Sequence, residues 1–201
     1  MFNSRFARRM ATRYRMRGLD KTAQRMVDLL TQADVHGATV LEIGGGVGEI
    51  QLELLKRGAA AATNLELSPA YDAEARHLLT EAGLTGRVQR RLIDIASDPG
   101  AVEPADIVVL HRVVCCYPDY AKLLGAAADH ARHHVVFSHP PRNPVSRVVV
   151  AAQHLWFRLL GREFRVFVHP PEEMLAVLAD HGLQTGLAHG GAVWQVTAAS
   201  R

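Results

Sequence analysis

The chain has 201 residues, of which 48% are hydrophobic and 21% charged, with a formal net charge of +3. This is the length of one ordinary domain with enough apolar residues for a core, which excludes a disordered chain; no apolar run approaches the ~18–20 residues of a membrane span. The two cysteines, Cys115 and Cys116, are adjacent, which excludes a disulfide framework and a Cys-x-x-Cys metal site. Because Met1-Phe2-Asn3-Ser4-Arg5 lacks a secretory pattern, a reduced cytoplasmic protein is expected.

The charge is unevenly placed. Residues 1–25 carry eight basic side chains and one acid, Asp20, so this segment holds +7 and the remaining 176 residues hold −4. A basic arm of this kind suits phosphate, a membrane surface or an acidic ligand, and equally a solvated helix face. Phe6, Met10, Tyr14 and then Met26, Leu29, Leu30 recur at helical steps, predicting two short amphipathic helices hinged near Gly18. The arm is taken as residues 1–34.

From residue 35 strands and helices alternate. Thr39–Ile43 is a short buried strand that runs into Gly44-Gly45-Gly46-Val47-Gly48, followed by a helix from Glu49 to Arg57 that stops at Gly58. Ala61–Leu67 is a second strand, and Ser68-Pro69 places a cap and a proline at the start of a helix running to about Ala82. Val88–Ile95 and Ala105–Leu110 are the third and fourth strands. A helix runs from Pro118-Asp119 to about Arg132, and His134–Ser138 is the fifth strand. A helical insert at about 140–169 carries Val145, Val148, Val149, Ala152, Leu155, Trp156, Leu159 and Leu160 on one side. Beyond it come a helix over Glu172–His181 and two strands, Leu183–His189 and Ala192–Thr197, around Gly190-Gly191, a hairpin signal. The pattern is α/β: a Rossmann-like seven-stranded sheet, mostly parallel with a terminal antiparallel hairpin, flanked by helices.

In an open α/β sheet the ligand sits at the carboxyl ends of the strands, where strand order reverses. Gly44, Gly46 and Gly48 let the backbone pass close to it there. Glu66 is placed to accept from ribose hydroxyls and Asp94 from an adenine amino group. The pyrophosphate fingerprint G-x-G-x-x-G/A fails, because its third position is Glu49 or Gln51, and a carboxylate at that helix start repels pyrophosphate. No Gly-Lys-Ser/Thr of a P-loop follows. A phosphate-free nucleoside is the better fit.

Val40–Gly48, Glu66 and Asp94 together resemble the class I S-adenosylmethionine-dependent methyltransferases over roughly residues 35–200. The resemblance implies that Glu42, Gly44, Gly45, Gly46 and Gly48 serve the methionine end, Glu66 the ribose, and Asp94 with Ile95 the adenine, with Leu67 a further cofactor contact. His111 would border the cofactor. The arm with Gly18-Leu19-Asp20-Lys21-Thr22, the Tyr117-Pro118 step and the insert are similar to magnesium-protoporphyrin IX O-methyltransferases, where the arm closes over the cofactor; this implies Tyr14 and Arg17 as cofactor contacts. The stretch His111–Asp119 resembles that of uncharacterised bacterial methyltransferase-domain proteins.

Methyl transfer from a sulfonium asks chiefly for alignment, and some acceptors also need a base. Histidine is the usual base near neutral pH. His111 and His139 end the fourth and fifth strands, and His169 ends the insert. Tyr117 contacts the cofactor or holds its loop. Cys115 and Cys116 read as small buried residues. No His or carboxylate pair sits at ligand spacing, so no metal is expected. The expected function is S-adenosylmethionine-dependent methylation of a small, apolar or aromatic acceptor by in-line displacement. Rivals are RNA methylation using the basic arm, a non-catalytic nucleoside-binding module, and peripheral membrane contact through the arm and insert.

Overall fold

The computed structural model describes residues 3–144, 148, 150–152, 156, 158, 166–191 and 193–201. Seven strands, β1 (Thr39–Ile43), β2 (Ala61–Leu65), β3 (Val88–Arg91), β4 (Ala105–Leu110), β5 (Ala131–His139), β6 (Gln184–His189) and β7 (Gln195–Ser200), form one sheet in the order β3-β2-β1-β4-β5-β7-β6. Neighbours are parallel from β3 to β5, whereas β7 is antiparallel to both β5 and β6. The expected mostly parallel sheet with a terminal antiparallel hairpin is therefore what the chain forms.

Both faces of the sheet are covered, so the central strands are apolar along their whole length rather than alternating. On β4, Ile107 and Val109 enter one core, and Val108 and Leu110 the other. The first core lies under α1 (Ser4–Arg17), α2 (Lys21–Gln32), α3 (Glu49–Lys56) and α4 (Asp72–Glu81). The second lies under α5 (Tyr120–Asp129) and α6 (Pro171–Asp180). In α2 the side chains of Met26, Val27 and Leu30 are buried, each stabilising by about 1.5–3 kcal/mol. This helix is thus an integral layer of the fold. Helix α1 buries Ala7, Ala11 and Tyr14. Its larger apolar residues Phe6 and Met10, read from periodicity as its packing stripe, line a cavity, with Met10 also packed against the first core.

The second and third strands end earlier than expected, at Leu65 and Arg91. Glu66 and Asp94 therefore stand in loops beyond the strands. Their side chains bond to nearby backbone amides, Glu66 to Leu67 and Ser68 and Asp94 to Ala96, a local alternative that competes with the ladder. The segment after Ser68 begins as a 3-10 turn, Pro69–Tyr71, and the Ser68 side chain makes no capping bond to it. The fifth strand is longer than predicted and takes in His139. The apolar stripe predicted on the insert lies largely outside the described residues. Among the described residues no helix is long and apolar enough to cross a membrane.

At the amino ends of the strands, Asp106 pins β4 to β1. Its carboxylate accepts the Thr39 amide at 2.8 Å and the Thr39 hydroxyl at 2.7 Å, and those bonds hold its pKa below the usual range. Asp106→Asn should lower stability by about 1 kcal/mol in urea unfolding at pH 7. The contribution of a depressed pKa is complete above the unfolded value and is lost as pH falls toward the folded one, so the gap between native chain and variant should narrow progressively below about pH 4.

Candidate active site

The order of strands reverses between β1 and β4, and a cavity of about 910 Å³ opens beyond their carboxyl ends. Its floor is the turn Ile43–Gly46, and its walls are Glu66–Pro69, Ile93–Ile95, His111–Val113, Cys116 and Tyr117. Phe6, Arg9, Met10 and Arg13 of α1 form its roof. The volume lies near the top of the range of about 300–1,000 Å³ for ligand sites, with room for more than one nucleoside-sized ligand.

The floor is set by a buried acid. Glu42, near the end of β1, is 2% exposed. Its carboxylate accepts the Gln51 amide of α3 at 3.3 Å and the Asn64 side-chain amide at 3.4 Å. Burial, opposed by the Gln51 N–H and reinforced by the nearby Glu49 charge, pushes its pKa up to about 8. Asn64 accepts in turn from Arg90 at 3.0 Å, and Arg90 pairs with Asp72 at 3.2 Å. The glycine turn passes directly over this acid. A Cβ at Gly45 would overlap the Asn64 amide and stand 2.8 Å from the Glu42 carboxyl carbon. Gly44 and Gly46 take φ of 65° and 54°, a region that side chains disfavour. The Gly44 amide is tied to the Leu65 carbonyl at 2.7 Å.

Two further acids face the cavity. Glu66 accepts the Gly46 amide at 2.9 Å with one oxygen and the Leu67 and Ser68 amides at 2.8 and 3.0 Å with the other. Leu67 is 62% exposed at the rim. Asp94 accepts the Tyr117 hydroxyl at 3.0 Å and the Ser97 hydroxyl at 2.9 Å. Tyr117 thereby ties the loop after β4 to the loop after β3. Ile95 is buried beside it.

At the end of β4, His111 presents Nδ1 to the Ser138 hydroxyl at 3.0 Å, and that oxygen also accepts the Arg112 amide at 2.9 Å. Its Nε2 is buried with no hydrogen-bond partner among the described residues and lies 3.9 Å from Asp20 Oδ2. Burial holds the His111 pKa below its usual value, Asp20 opposing and Arg112 and Arg13 assisting, so the ring is neutral at neutral pH. Arg112 has φ of 58°, a conformation that costs a non-glycine residue of order 1–3 kcal/mol. Its guanidinium compensates by pairing with Asp20 at 2.7 Å and lying 5.0 Å from the Trp194 ring centre. Arg13 donates to both oxygens of Glu49 at 2.8 and 3.0 Å and stands 3.6 Å from Asp20.

Of the residues predicted from sequence, Glu42, Gly44, Gly45, Gly46, Glu66, Leu67, Asp94, Ile95, His111 and Tyr117 are brought together around the cavity. Five are placed elsewhere. The Tyr14 hydroxyl donates to Glu53 at 2.5 Å and accepts from Lys56 at 3.0 Å, and Arg17 is exposed at the end of α1. Neither lines the cavity; Arg9 and Arg13, nearer the start of that helix, do. Gly48 starts α3 behind the turn. His139 is buried between β5 and β7, with Nε2 3.2 Å from the Thr197 hydroxyl and its ring stacked on Phe137. His169 donates through Nε2 to the Val114 and Tyr117 carbonyls, both at 3.1 Å, and so braces the loop that carries Tyr117. Sequence reasoning missed Asn64, Arg13 and Asp20. Asp20 before Lys21-Thr22-Ala23 is a readable helix cap, but its convergence on His111 and Arg112 is a tertiary fact.

Glu42 has a stability consequence. Its folded pKa of about 8 lies above the ~4.3 of an unfolded glutamate, so rising pH between those values destabilises the fold. Glu42→Gln should match the native chain at pH 5 and exceed it by on the order of 2 kcal/mol at pH 9 in urea unfolding.

Comparisons with known proteins agree with this geometry. A curated relative, the ribosomal protein L11 methyltransferase of Edwardsiella ictaluri (strain 93-146), is 26% identical over 154 residues, which cover 72% of this chain and 52% of that protein. The chain thus spans about half the length of that relative. The crystal structure of magnesium protoporphyrin IX methyltransferase from Synechocystis PCC 6803 with bound SAH matches with a TM-score of 0.74 at 19% identity, over 90% of this chain and 82% of that one. An O-methyltransferase family 2 protein from Planctomyces limnophilus DSM 3776 in complex with apigenin matches with a TM-score of 0.72 at 18% identity, over 100% of this chain and 62% of that one. At these identities the structural likeness shows the fold. The profile of the methyltransferase domain family matches residues 7–185, and the chain belongs to that family.

Proposed function

We propose that the protein methylates a small organic acceptor using S-adenosylmethionine. The observation that carries this reading is Glu42, a carboxylate buried under the glycine turn with amide partners and, among the described residues, no cation in hydrogen-bonding contact. A buried acid of this kind favours a positively charged ligand, because a cation restores the charged form that burial disfavours. The cofactor's amino group and sulfonium have the right sign. Glu42 and the Gly44–Gly46 backbone would hold its methionine end, Glu66 its ribose, and Asp94 with Leu67 and Ile95 its adenine. When bound, it supplies an electrophilic methyl for in-line displacement.

The rest of the chemistry falls to this chain. The cavity walls orient the acceptor, which is the main requirement of such a displacement. Phe6, Met10, Val113 and Leu123 line it with apolar surface, which favours an apolar or aromatic acceptor. His111 is the candidate base for acceptors that must lose a proton: Nδ1 is engaged by Ser138, leaving Nε2 as the nitrogen that would take it. In this structure Nε2 is buried and lies 3.9 Å from Asp20 Oδ2. Helix α1 roofs the cavity and serves as its lid. RNA binding through the arm is disfavoured, because Arg8, Arg13 and Arg15 are paired with Glu74, Glu49 and Glu81 of the same chain.

Calorimetry with S-adenosylhomocysteine tests the reading. The native chain should bind it, and Gly46→Arg, which fills the floor of the cavity, should weaken binding by about 100-fold or more. No heat with the native chain would overturn the proposal.

A further inference from the structure

Asp20 stands at the elbow of the arm, two residues after Gly18 breaks the helix, and its two oxygens face opposite ways. Oδ1 accepts the Thr22 and Ala23 amides at 2.9 and 3.0 Å and so caps α2. Oδ2 lies 2.7 Å from Arg112, 3.6 Å from Arg13 and 3.9 Å from His111 Nε2. One carboxylate therefore joins both arm helices to the turn at the end of β4. That turn is held in a left-handed conformation at Arg112, and its histidine has one nitrogen fixed by Ser138 and the other buried with no hydrogen-bond partner among the described residues.

We propose that Asp20 is a positioning residue for His111: docked with the arm, it sets the orientation and charge state of the imidazole, which makes the competence of that imidazole depend on arm docking. The inference deepens the methyltransferase reading and rests on it for the role given to His111. It does not need ligand contact by Asp20. The charged groups that face His111 are Asp20 and Arg13 from the arm and Arg112 beside it; Glu49 from α3 faces Asp20 and Arg13. Asp20 is the member of this set whose charge favours a proton on His111, while Arg112 and Arg13 disfavour one. A proton arriving at Nε2 during turnover would meet the Asp20 carboxylate, and with the arm undocked it would not.

The cap and the charge can be separated. Asparagine caps a helix about as well as aspartate, so Asp20→Asn keeps the Oδ1 bonds to α2 and removes the charge facing His111. The test is an NMR titration of the His111 imidazole in the full chain without ligand, with its resonance assigned by loss in His111→Gln. In Asp20→Asn the midpoint should fall by about 1 pH unit. In Arg112→Gln it should rise, because an opposing cation is gone. A midpoint unchanged in both variants would overturn the proposal. So would a rise in Asp20→Asn toward the ~6.5 of a solvated histidine, since Asp20 would then merely hold the arm down. None of these titrations uses the cofactor, so their failure is distinct from failure to bind S-adenosylhomocysteine.

Discussion

The carboxylate of Glu42 lies where water does not reach it, and the floor of the site is arranged around that fact. A charge in such a place is costly unless something compensates it. Here the compensation is partial: the Gln51 amide near the start of α3 and the Asn64 amide, with Arg90 one step further out. The same crowding dictates the turn above. Gly45 has no side chain because the Glu42–Asn64 pair occupies the space a Cβ would take. Gly44 and Gly46 turn through positive φ so that the backbone rounds the acid and continues into α3. What remains beyond the turn is a cavity whose innermost polar group is an acid awaiting a cation.

The arm completes that cavity from above, and its basic character acquires a different meaning in three dimensions. Three of the eight basic side chains in residues 1–25 pair with the body of the same chain. Arg13 reaches the buried Glu49, while Arg8 and Arg15 reach Glu74 and Glu81. The exposed pairs contribute little individually, about 0–1 kcal/mol. The pair at Glu49 is different, because that acid is buried and would be stranded without its arginine. Small residues, Ala7 and Ala11, are buried where α1 packs on α4 and the 3-10 turn Pro69–Tyr71, while Phe6 and Met10 roof the cavity. An acidic, partly apolar chamber is thus covered by a helix whose cations hold it in place.

Much of this is legible in the sequence, for identifiable reasons. The alternation of strands and helices, the glycine turn and the acids at Glu42, Glu66 and Asp94 follow from local rules of periodicity and turn chemistry. Strand ends were less legible: Glu66 and Asp94 cap their own loops, and side-chain bonds of that kind leave no periodic trace. The two histidines at strand ends look equivalent in sequence and are not. His111 borders the cavity, whereas the register of β5 on β7 sets His139 opposite Gln195 and buries it beside Thr197. Tyr14 and Arg17 are expected at the cofactor, but Tyr14 is buried with its hydroxyl on Glu53 and Arg17 lies a turn beyond Arg13, so it is Arg9 and Arg13 that reach the roof. Asp20 could be recognised as a cap, but its partners Arg112 and His111 come from a distant strand end and only the fold unites them.

The central claim is that Glu42 is held protonated until a cationic ligand arrives. Calorimetric titration with S-adenosylhomocysteine at pH 7, repeated in buffers of different ionisation enthalpy, measures this directly. An acid with a pKa of about 8 that becomes charged on meeting the ligand's ammonium group should release close to one proton per ligand bound, and the release should vanish in Glu42→Gln. Binding whose enthalpy is the same in every buffer would contradict the account.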